Sequence, residues 1–299
     1  MNSWLRVSST VQAAIARGRP LVALESSVLA QGLLPPHNRA AAERMVAAIE
    51  EHGAAPAITA IVHGVATLGL ESAELERFLH RDGVRKVSAR DLAHAMATRA
   101  DGATTVAGTL ALCRAAGIQV FATGGIGGVH RDAPFDESAD LVELAHSPVI
   151  VVSAGAKSIL DLPATIERLE TNGVTVVGYR TNDLPGFFTQ GTGIRLDLSV
   201  ESASEIAEMW MHHRALGRPG AILVMQPPPA EFALDRALVE QATAAALRQS
   251  KEHGVRGGAV TPFLLAEVQR LTNGRSVVAN LALLEANASL AADIAVALK

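Results

Sequence analysis

A single lysine follows a short apolar run in VVSAGAKSILDL, residues 151–162. The run predicts a buried strand, Val149–Val152, and the residues after Lys157 predict a helix, Ser158–Thr171. A cation at a helix start faces the positive end of the helix dipole, which, together with apolar surroundings, lowers the pKa of a lysine. A neutral lysine amine is a nucleophile that forms a Schiff base with an aldehyde. An ion pair with Asp161, one turn further on, would explain the same lysine without any chemistry.

Three other predicted strands are also followed by polar or glycine-rich residues. Glu25 and Ser26 follow Leu24, His63 follows Val62, and TGGIGGVHR follows Ala122. Because ligands bind outside the carboxyl ends of strands in open α/β sheets, we expect these segments to lie at one edge of the sheet with Lys157. TGGIGGVHR lacks the lysine of a Walker A loop and the third glycine of a dinucleotide fingerprint. Its glycines either let the backbone approach a ligand or form a tight turn.

Two further segments precede predicted helices and have two interpretations each. DESAD, Asp136–Asp140, holds three carboxylates, which suit Mg²⁺ or Mn²⁺ but also suit a solvated turn that caps the next helix. GATTV, residues 102–106, offers Thr104 or Thr105 as a cap, and the free N–H groups of a helix start attract anions. Capping alone explains these threonines.

The segment KVSARD, residues 86–91, carries alternating polar side chains. In an extended segment Lys86, Ser88 and Arg90 point to the same side, where they could bind a phosphate. The alternative is a surface charge cluster with Asp91 as the cap of the following helix.

Short apolar runs alternate with longer alanine-rich stretches of helical period, which predicts β-α-β units and a largely parallel sheet covered on both faces. The predicted strands are Leu21–Leu24, Thr59–Val62, Val120–Ala122, Val149–Val152, Val174–Tyr179 and Ala221–Met225. The predicted helices are Ser9–Arg17, Asn38–Glu51, Ser72–Leu79, Asp91–Arg99, Thr105–Ala116, Ser158–Thr171, Ser202–Leu216, Leu234–Ser250, Pro262–Thr272 and Leu281–Leu298. Asp183–Ser199, rich in glycine and proline, predicts a functional loop or lid.

The amino-acid composition limits the classes of partner that the protein could bind. The net charge of −4 and the absence of a Lys/Arg cluster give no support for a nucleic-acid or anionic-membrane partner. No apolar stretch in the sequence approaches the roughly 20 residues that span a bilayer. The single cysteine, Cys113, excludes a disulfide framework within one chain and fits a buried helix position in a protein of the reducing cytoplasm.

Taken together, eight motifs resemble one family, the pseudouridine-5'-phosphate glycosidases, also described as indigoidine synthase A-like proteins. The motifs cover nearly the whole chain in order: ALESSVLAQGL (23–33), KVSARDL (86–92), GATTVAGTL (102–110), FATGGIGGVHR (121–131), SADLVEL (138–144), SAGAKSILDL (153–162), VTPFLL (260–265) and ANLALLEANA (279–288). The resemblance implies one domain over residues 1–299, an α/β/α sandwich and a homotrimer.

The resemblance also implies a reaction at a C–C glycosidic bond between C1 of ribose 5-phosphate and a uracil carbon, with a divalent cation, Mn²⁺ or another such as Mg²⁺. It assigns Lys157 as the nucleophile that forms an imine with C1, and Glu25 as the proton donor and acceptor. Asp136 is the implied metal ligand. The implied substrate-binding residues are Lys86, Val106, Ser138, Ala139 and Asp140, with His130 and Asn280 on the side of the base.

Departures from the family pattern leave the carbon acceptor open. They are Ala89 before Arg90-Asp91, Leu184-Pro185-Gly186-Phe187, Gln226-Pro227-Pro228-Pro229, Gly258-Ala259 and Ala286-Asn287. One reading is the glycosidase that releases uracil and ribose 5-phosphate. A second is a C-glycosynthase that attaches ribose 5-phosphate to an aromatic polyketide, as in alnumycin biosynthesis. A third, from another class, is a non-catalytic scaffold that binds sugar phosphates.

Overall fold

The structure is a computed structural model that describes residues 4–131, 135–257 and 260–299. Within them the strands are β1 (Leu5–Val7), β2 (Leu21–Leu24), β3 (Ala55–Val62), β4 (Val65–Leu68), β5 (Arg85–Val87), β6 (Gly102–Thr104), β7 (Val120–Ala122), β8 (Val129–His130), β9 (Ile150–Ser153), β10 (Leu160–Asp161), β11 (Thr175–Tyr179), β12 (Ser199–Val200) and β13 (Ile222–Met225).

The α-helices of the described residues are α1 (Ser9–Ala16), α2 (His37–Glu51), α3 (Ser72–His80), α4 (Leu92–Ala97), α5 (Val106–Ala116), α6 (Ala139–His146), α7 (Leu162–Thr171), α8 (Ala203–Ala215), α9 (Arg236–Glu252), α10 (Val260–Leu271) and α11 (Arg275–Ala297). A π-helical turn, Val28–Gly32, and a 3₁₀ turn, Ala89–Asp91, complete the helical elements. Gly258-Ala259, one of the departures from the family pattern, lies outside the described residues.

The main sheet has the order β1-β4-β3-β2-β7-β9-β13-β11-β12, with β6 paired to β3 and β5 paired to β6. Its centre, from β3 through β2, β7, β9 and β13 to β11, is entirely parallel. The pairs β3–β4 and β3–β6 are antiparallel. Helices cover both sides, so the α/β prediction with a largely parallel sheet is confirmed.

The central strands are apolar along their whole length because both of their faces are covered. All four residues of β9 and all four of β13 are buried. Helix α5 begins at the predicted cap: the Thr105 side chain accepts a hydrogen bond from the N–H of Gly108. The helix ends at Gly117, whose left-handed backbone suits glycine. These signals set the two ends of α5.

Helix boundaries near the predicted chemistry differ from the sequence prediction. The predicted helix Ser158–Thr171 begins only at Leu162, because 160–161 form strand β10 with β8. The predicted helix Asp91–Arg99 corresponds to α4 to within two residues, and a 3₁₀ turn, Ala89–Asp91, precedes it. The other helices agree with prediction to within two residues, except that α11 begins six residues before Leu281.

Helix α11 corrects the expectation that no stretch is long enough for a bilayer. By length and composition alone Arg275–Ala297 could cross a membrane, but its apolar window is 72% buried in the described structure. It packs against α2, α8 and the central strands β2, β7 and β9. An apolar helix of this kind is what the core of a large α/β protein requires.

The single cysteine lies where the sequence predicts. Cys113 is fully buried in α5 and has a free thiol. Burial raises the pKa of the Cys113 thiol, so the thiolate that would be reactive is disfavoured. Cys113 therefore acts as a small apolar core residue.

Thr243 in α9 offers a stability test. Its hydroxyl is fully buried and has no hydrogen-bond partner among the described residues. Because an unpaired buried polar group is costly, we expect Thr243→Val to raise the free energy of unfolding by about 1 kcal/mol. Urea denaturation measures the change. As a control, Thr165→Val should lower stability, because the Thr165 hydroxyl donates to the Asp161 carbonyl (2.6 Å) and accepts from the Val129 N–H (3.0 Å). Equal destabilisation by both variants would contradict this account.

Candidate active site

Three neighbouring parallel strands deliver the central polar groups of the site. Glu25 follows β2, Thr123 follows β7, and Lys157 lies four residues beyond the end of β9. All three strands end at the same edge because they are parallel and adjacent. A pocket of about 530 Å³ opens at this edge, and both Glu25 and Lys157 line it. The strand-edge expectation therefore holds for these two residues.

Backbone hydrogen bonds between the loops after β7 and β9 position Lys157. The N–H of Ala154 donates to the Gly124 carbonyl (2.9 Å), and the N–H of Ile126 donates to the Gly155 carbonyl (3.1 Å). The N–H of Lys157 then donates to the Ile126 carbonyl (3.1 Å). This ladder extends the pairing of the two strands into the pocket and fixes the backbone that carries the lysine.

Lys157 does not lie at a helix start, which corrects the sequence argument from the helix dipole. Helix α7 begins at Leu162, five residues later, and Asp161 caps it by accepting from the N–H of Ala164 (3.0 Å). No ion pair between Lys157 and Asp161 occurs within the described residues. Both the dipole argument and the simple ion-pair explanation were therefore wrong, and Lys157 faces the pocket from a turn.

Arg131 holds this turn from outside. Its guanidinium donates to the carbonyls of Ser158 (3.1 Å) and Leu160 (3.0 Å) and forms an ion pair with Glu240 of α9 (2.6 Å). The Arg131 guanidinium also lowers the pKa of the Glu240 carboxyl. Carbonyls that no helix satisfies thus have charged donors, which stabilise the irregular backbone after Lys157.

Glu25 is a buried carboxylate, 6% exposed, with two hydroxyl partners. The Thr123 hydroxyl donates to Oε1, and the Ser27 hydroxyl donates to Oε2. Within the described residues no cation forms an ion pair with Glu25. The carboxylate is therefore held by neutral donors at the pocket wall, and its remaining lone pairs can meet a ligand.

Lys86, the middle residue of β5, also lines the pocket. Partial burial lowers the pKa of its ammonium, and the charge of Lys157 lowers the pKa further, whereas Asp140 and Glu25 act in the opposite direction. The side chain still keeps exposed surface, so it sits at the mouth and not in the core. Ser88 and Arg90 line the same pocket, as their alternation with Lys86 predicts, although the backbone turns at Ala89.

We expect Lys86 to lower the stability of the folded protein while it contributes to ligand binding. A lowered pKa means that folding disfavours its protonated form, so this destabilisation is present at neutral pH and fades as pH rises through the folded pKa toward the unfolded pKa. We therefore expect Lys86→Met to raise the melting temperature at pH 7 while it weakens the binding of ribose 5-phosphate, the ligand that the family resemblance implies. Calorimetry at pH 7 and a titration with ribose 5-phosphate check the two effects. Arg85→Met, at an exposed neighbour outside the pocket, is the matched control. A lower melting temperature for the Lys86 variant would contradict the sign.

The segment Asp136–Asp140 is partly structural. The Ser138 side chain caps α6 by accepting from the N–H of Asp140, as the capping interpretation predicts. Asp140 accepts from the N–H groups of Ala107 (2.9 Å) and Gly127 (2.8 Å), so it joins the start of α5 to the glycine loop. A Cβ at Gly127 would come within 2.3 Å of the Ser138 hydroxyl, so glycine is required there.

Asp136 is the carboxylate of this segment that remains open to the pocket. Glu137 forms an ion pair with Arg168 (2.5 Å), and the two oxygens of Asp140 accept backbone N–H groups. The described part of the chain contains no group of three His, Cys, Asp or Glu side chains that could hold a metal ion. Asp136 could thus anchor a hard cation only in an open site, with water and substrate oxygens as the other ligands, which is a common arrangement for Mg²⁺.

The structure brings every other predicted site residue to the same pocket. Val106, at the start of α5, and Ala139, at the start of α6, line it, as does His130 at the end of β8. Asn280 enters from α11, and its Oδ1 is buried without a hydrogen-bond partner in the described structure. The predicted residues therefore form one constellation, although their individual roles stay predictions.

Sequence reasoning missed several pocket residues and included one that does not belong. Gln31 of the π-helical turn, which no motif argument singled out, lines the pocket, as does Phe187 of the departure at 184–187. Thr123, which donates to Glu25, lies in the glycine loop, where no pattern distinguishes it. His63 lies in a tight turn between β3 and β4, 72% exposed beside Asp101, and takes no part. A signal for Gln31 existed, since it lies six residues after Glu25 in the same motif.

The loop 183–199 is largely packed against the site and is not an open lid. Leu184, Phe187 and Phe188 are buried, and the N–H of Phe187 donates to the Ala154 carbonyl (3.0 Å). Gly155 has a left-handed backbone (φ +90°), and a Cβ there would meet the Pro185 carbonyl at 2.5 Å. The loop therefore fixes one wall of the pocket through Phe187.

A pocket at the carboxyl ends of parallel strands, with a lysine, a buried carboxylate and a second lysine converging on it, is the arrangement typical of an α/β enzyme. The model of one family, described as indigoidine synthase A like protein, matches residues 10–297, and the chain belongs to this family. A curated relative from Gemmatimonas aurantiaca, named pseudouridine-5'-phosphate glycosidase, is 66% identical over 98% of this chain and 96% of its own length. A relative of the same name from Herpetosiphon aurantiacus is 50% identical over 98% of each chain.

Solved structures agree with the fold. The crystal structure of the prealnumycin C-glycosynthase AlnA in complex with ribulose 5-phosphate is 38% identical, with a TM-score of 0.91, and the match covers 100% of this chain and 98% of that one. An indigoidine synthase A-like protein from Thermotoga maritima is 35% identical, with a TM-score of 0.89, and covers 98% of this chain and 95% of its own.

Proposed function

We propose that the protein cleaves pseudouridine 5'-phosphate to uracil and ribose 5-phosphate through an imine on Lys157. The observation that carries the proposal is the convergence of Lys157, Glu25 and Lys86 on one pocket, the first two from beyond the ends of parallel strands and Lys86 from β5. The names of the 66% and 50% identical relatives support this substrate. A C–C bond cannot be broken by protonating a leaving oxygen, as O-glycosidases do, so the electrons need a sink.

The proposed steps balance in atoms and electrons. The Lys157 amine bonds to C1 of the ribose, the bond from C1 to the ring oxygen breaks, and a proton that the lysine nitrogen loses goes to that oxygen. The C–C bond to uracil then breaks, its electron pair stays on the uracil carbon, and Glu25 delivers a proton there. The nitrogen lone pair forms the C=N bond of the iminium. Water hydrolyses the iminium and restores the lysine amine, and the proton released in this step returns to Glu25, so that one water is consumed per substrate.

The sugar phosphate would lie between the cationic mouth and the helix starts. Lys86 and Arg90 supply positive charge, and Ser88 supplies a hydroxyl donor. Val106, Ser138 and Ala139 lie at the starts of α5 and α6, where free N–H groups favour an anion. Two of the N–H groups near these starts, those of Ala107 and Gly127, already donate to Asp140, so Asp140 shapes this wall.

We also propose a divalent cation, Mn²⁺ or another such as Mg²⁺, held by Asp136. Its support is the Asp136 carboxylate, which lines the pocket and has no ion-pair partner among the described residues. A bound cation would offset charge on the substrate oxygens. Mn²⁺ binding followed by electron paramagnetic resonance, in the native chain and in Asp136→Asn, tests the site without reference to activity.

The second candidate is a C-glycosynthase that joins ribose 5-phosphate to an aromatic acceptor. The 38% identical neighbour AlnA favours it. The departures at 184–187 and 226–229 give this candidate less support than the sequence suggested. Among the residues of both segments, Phe187 alone lines the described pocket. The Pro228 carbonyl accepts a hydrogen bond from Gln190. Robust uracil release from pseudouridine 5'-phosphate would refute the synthase, and its absence would refute the glycosidase.

The non-catalytic scaffold is the third candidate. Trapping with ribose 5-phosphate and borohydride tests it, because a scaffold without imine chemistry gains no covalent mass. We also propose a homotrimer, which the family resemblance implies, and a location in the cytoplasm, a reducing compartment that the single buried thiol fits. Light scattering of the purified protein tests the trimer.

A further inference from the structure

We propose that Thr123 and Ser27 are positioning residues that hold the Glu25 carboxylate in register with the ring carbon to which it transfers a proton. We call the two hydroxyls together the hydroxyl brace. The inference rests on the proposed function, since it deepens the role of Glu25. Nothing in the family resemblance assigns a role to either hydroxyl.

The brace acts on both oxygens of one carboxylate. Thr123 donates to Oε1 and Ser27 to Oε2, and both residues are at least nine-tenths buried, as is Glu25. The donors belong to different elements, since Thr123 follows β7 and Ser27 precedes the π-helical turn. Because each carboxylate oxygen accepts a hydrogen bond from a different element, Glu25 cannot rotate about χ3 without losing both hydrogen bonds.

Thr123 is itself fixed on both sides. Its N–H donates to the Val152 carbonyl (3.0 Å), and its carbonyl accepts from Nδ2 of Asn287 in α11 (2.9 Å). The contact between Thr123 and Glu25 therefore ties the general acid to β9, the strand that leads to Lys157. The distance between the proton donor and the imine nitrogen is set by this frame.

Hydroxyls suit a residue that changes its protonation state in each cycle. A hydroxyl donates to an ionised carboxylate and, after rotation, accepts from a protonated one. An amide or backbone N–H could only donate and would favour one state. The brace can thus keep Glu25 in place before and after it gives up its proton. Without it, a buried carboxyl oxygen would lose its partner, which is costly.

The test compares Thr123→Val, Thr123→Ser and Ser27→Ala with Thr243→Val, the control that removes a buried hydroxyl remote from Glu25. Kinetics with pseudouridine 5'-phosphate should show kcat lower by roughly 10- to 100-fold in Thr123→Val, the scale expected for a displaced catalytic group, with little change in KM. Thr123→Ser should restore most of kcat. Trapping with ribose 5-phosphate and borohydride should stay normal in all variants, because the brace does not act on Lys157.

Crystal structures of the native protein and Thr123→Val complete the test. We expect the Glu25 carboxylate to turn away from its native position in the valine variant. An unmoved carboxylate together with native kcat would overturn the proposal, as would a serine variant as slow as the valine variant. If the native protein releases no uracil, the proposed function fails, and the position of Glu25 in the two structures then decides the brace by itself.

Discussion

Replacing Lys157 with arginine should abolish uracil release from pseudouridine 5'-phosphate and the trapping of ribose 5-phosphate by borohydride. Arginine keeps the positive charge but does not lose its proton in proteins, so no nucleophile remains. We expect a loss in kcat of roughly 10⁴-fold or more, the scale seen when enzymes lose a covalent nucleophile. Steady-state kinetics measures kcat for uracil release, and the intact mass after borohydride treatment measures the trapped adduct.

The second pocket lysine supplies the control for this experiment. Lys86 lies near enough to Lys157 for their charges to interact, so either amine is a conceivable site of the adduct. Lys86→Met should retain the adduct at saturating ribose 5-phosphate, although more sugar phosphate is needed to reach it. An adduct that persists in Lys157→Arg and disappears in Lys86→Met would identify Lys86 as the nucleophile. That result would contradict the assignment to Lys157.

The strand-edge logic found the centre of the site because it needs only the order of the strands and the residues at their carboxyl ends. Apolar runs ending at Leu24 and Val152 are readable in the sequence, and parallel neighbours end at one edge. The same logic misplaced His63, since the strand before it turns back as a hairpin with β4. Sequence alone does not show whether a strand leads into a hairpin or a crossover.

The error at Lys157 had a local cause. Two-residue strands such as β8 and β10 are too short to show any period, so the helical pattern was extended back to Ser158. Asp161 and Pro163 were the available signals, because a cap residue and a proline in the first turn mark a helix start. Together these two residues place the start at Leu162. The function of Lys157 then rested on the family resemblance and not on the dipole.

The partners of Glu25 lay beyond sequence reasoning for a different reason. Thr123 is 98 residues from Glu25 in the chain, and the contact exists only because β2 and β7 are neighbours. A threonine before two glycines carries no signal of its own. The position of Phe187 in the pocket wall also could not be predicted from the sequence. It depends on the close approach of Pro185 to Gly155, which only the folded chain shows.

Glu25→Gln should separate the two halves of the reaction. Glutamine has nearly the same shape, and because hydroxyls can accept as well as donate, Ser27 or Thr123 can turn to receive its amide N–H. The side chain should therefore stay in place while it loses the ability to carry a proton. We expect uracil release to fall by roughly 10²- to 10⁴-fold, the usual contribution of a general acid or base.

Imine formation from free ribose 5-phosphate should survive in Glu25→Gln, because that step needs the Lys157 amine and an aldehyde but no proton at a ring carbon. Glu25→Asp is the informative companion: it keeps the acid but shortens its reach, so part of the rate should remain. Kinetics and borohydride trapping on the same samples measure both effects. A Glu25→Gln variant that loses the adduct as completely as it loses uracil release would contradict this account. Glu25 would then have to act before the imine forms. The proton it handles would be the one on the ring oxygen of the sugar.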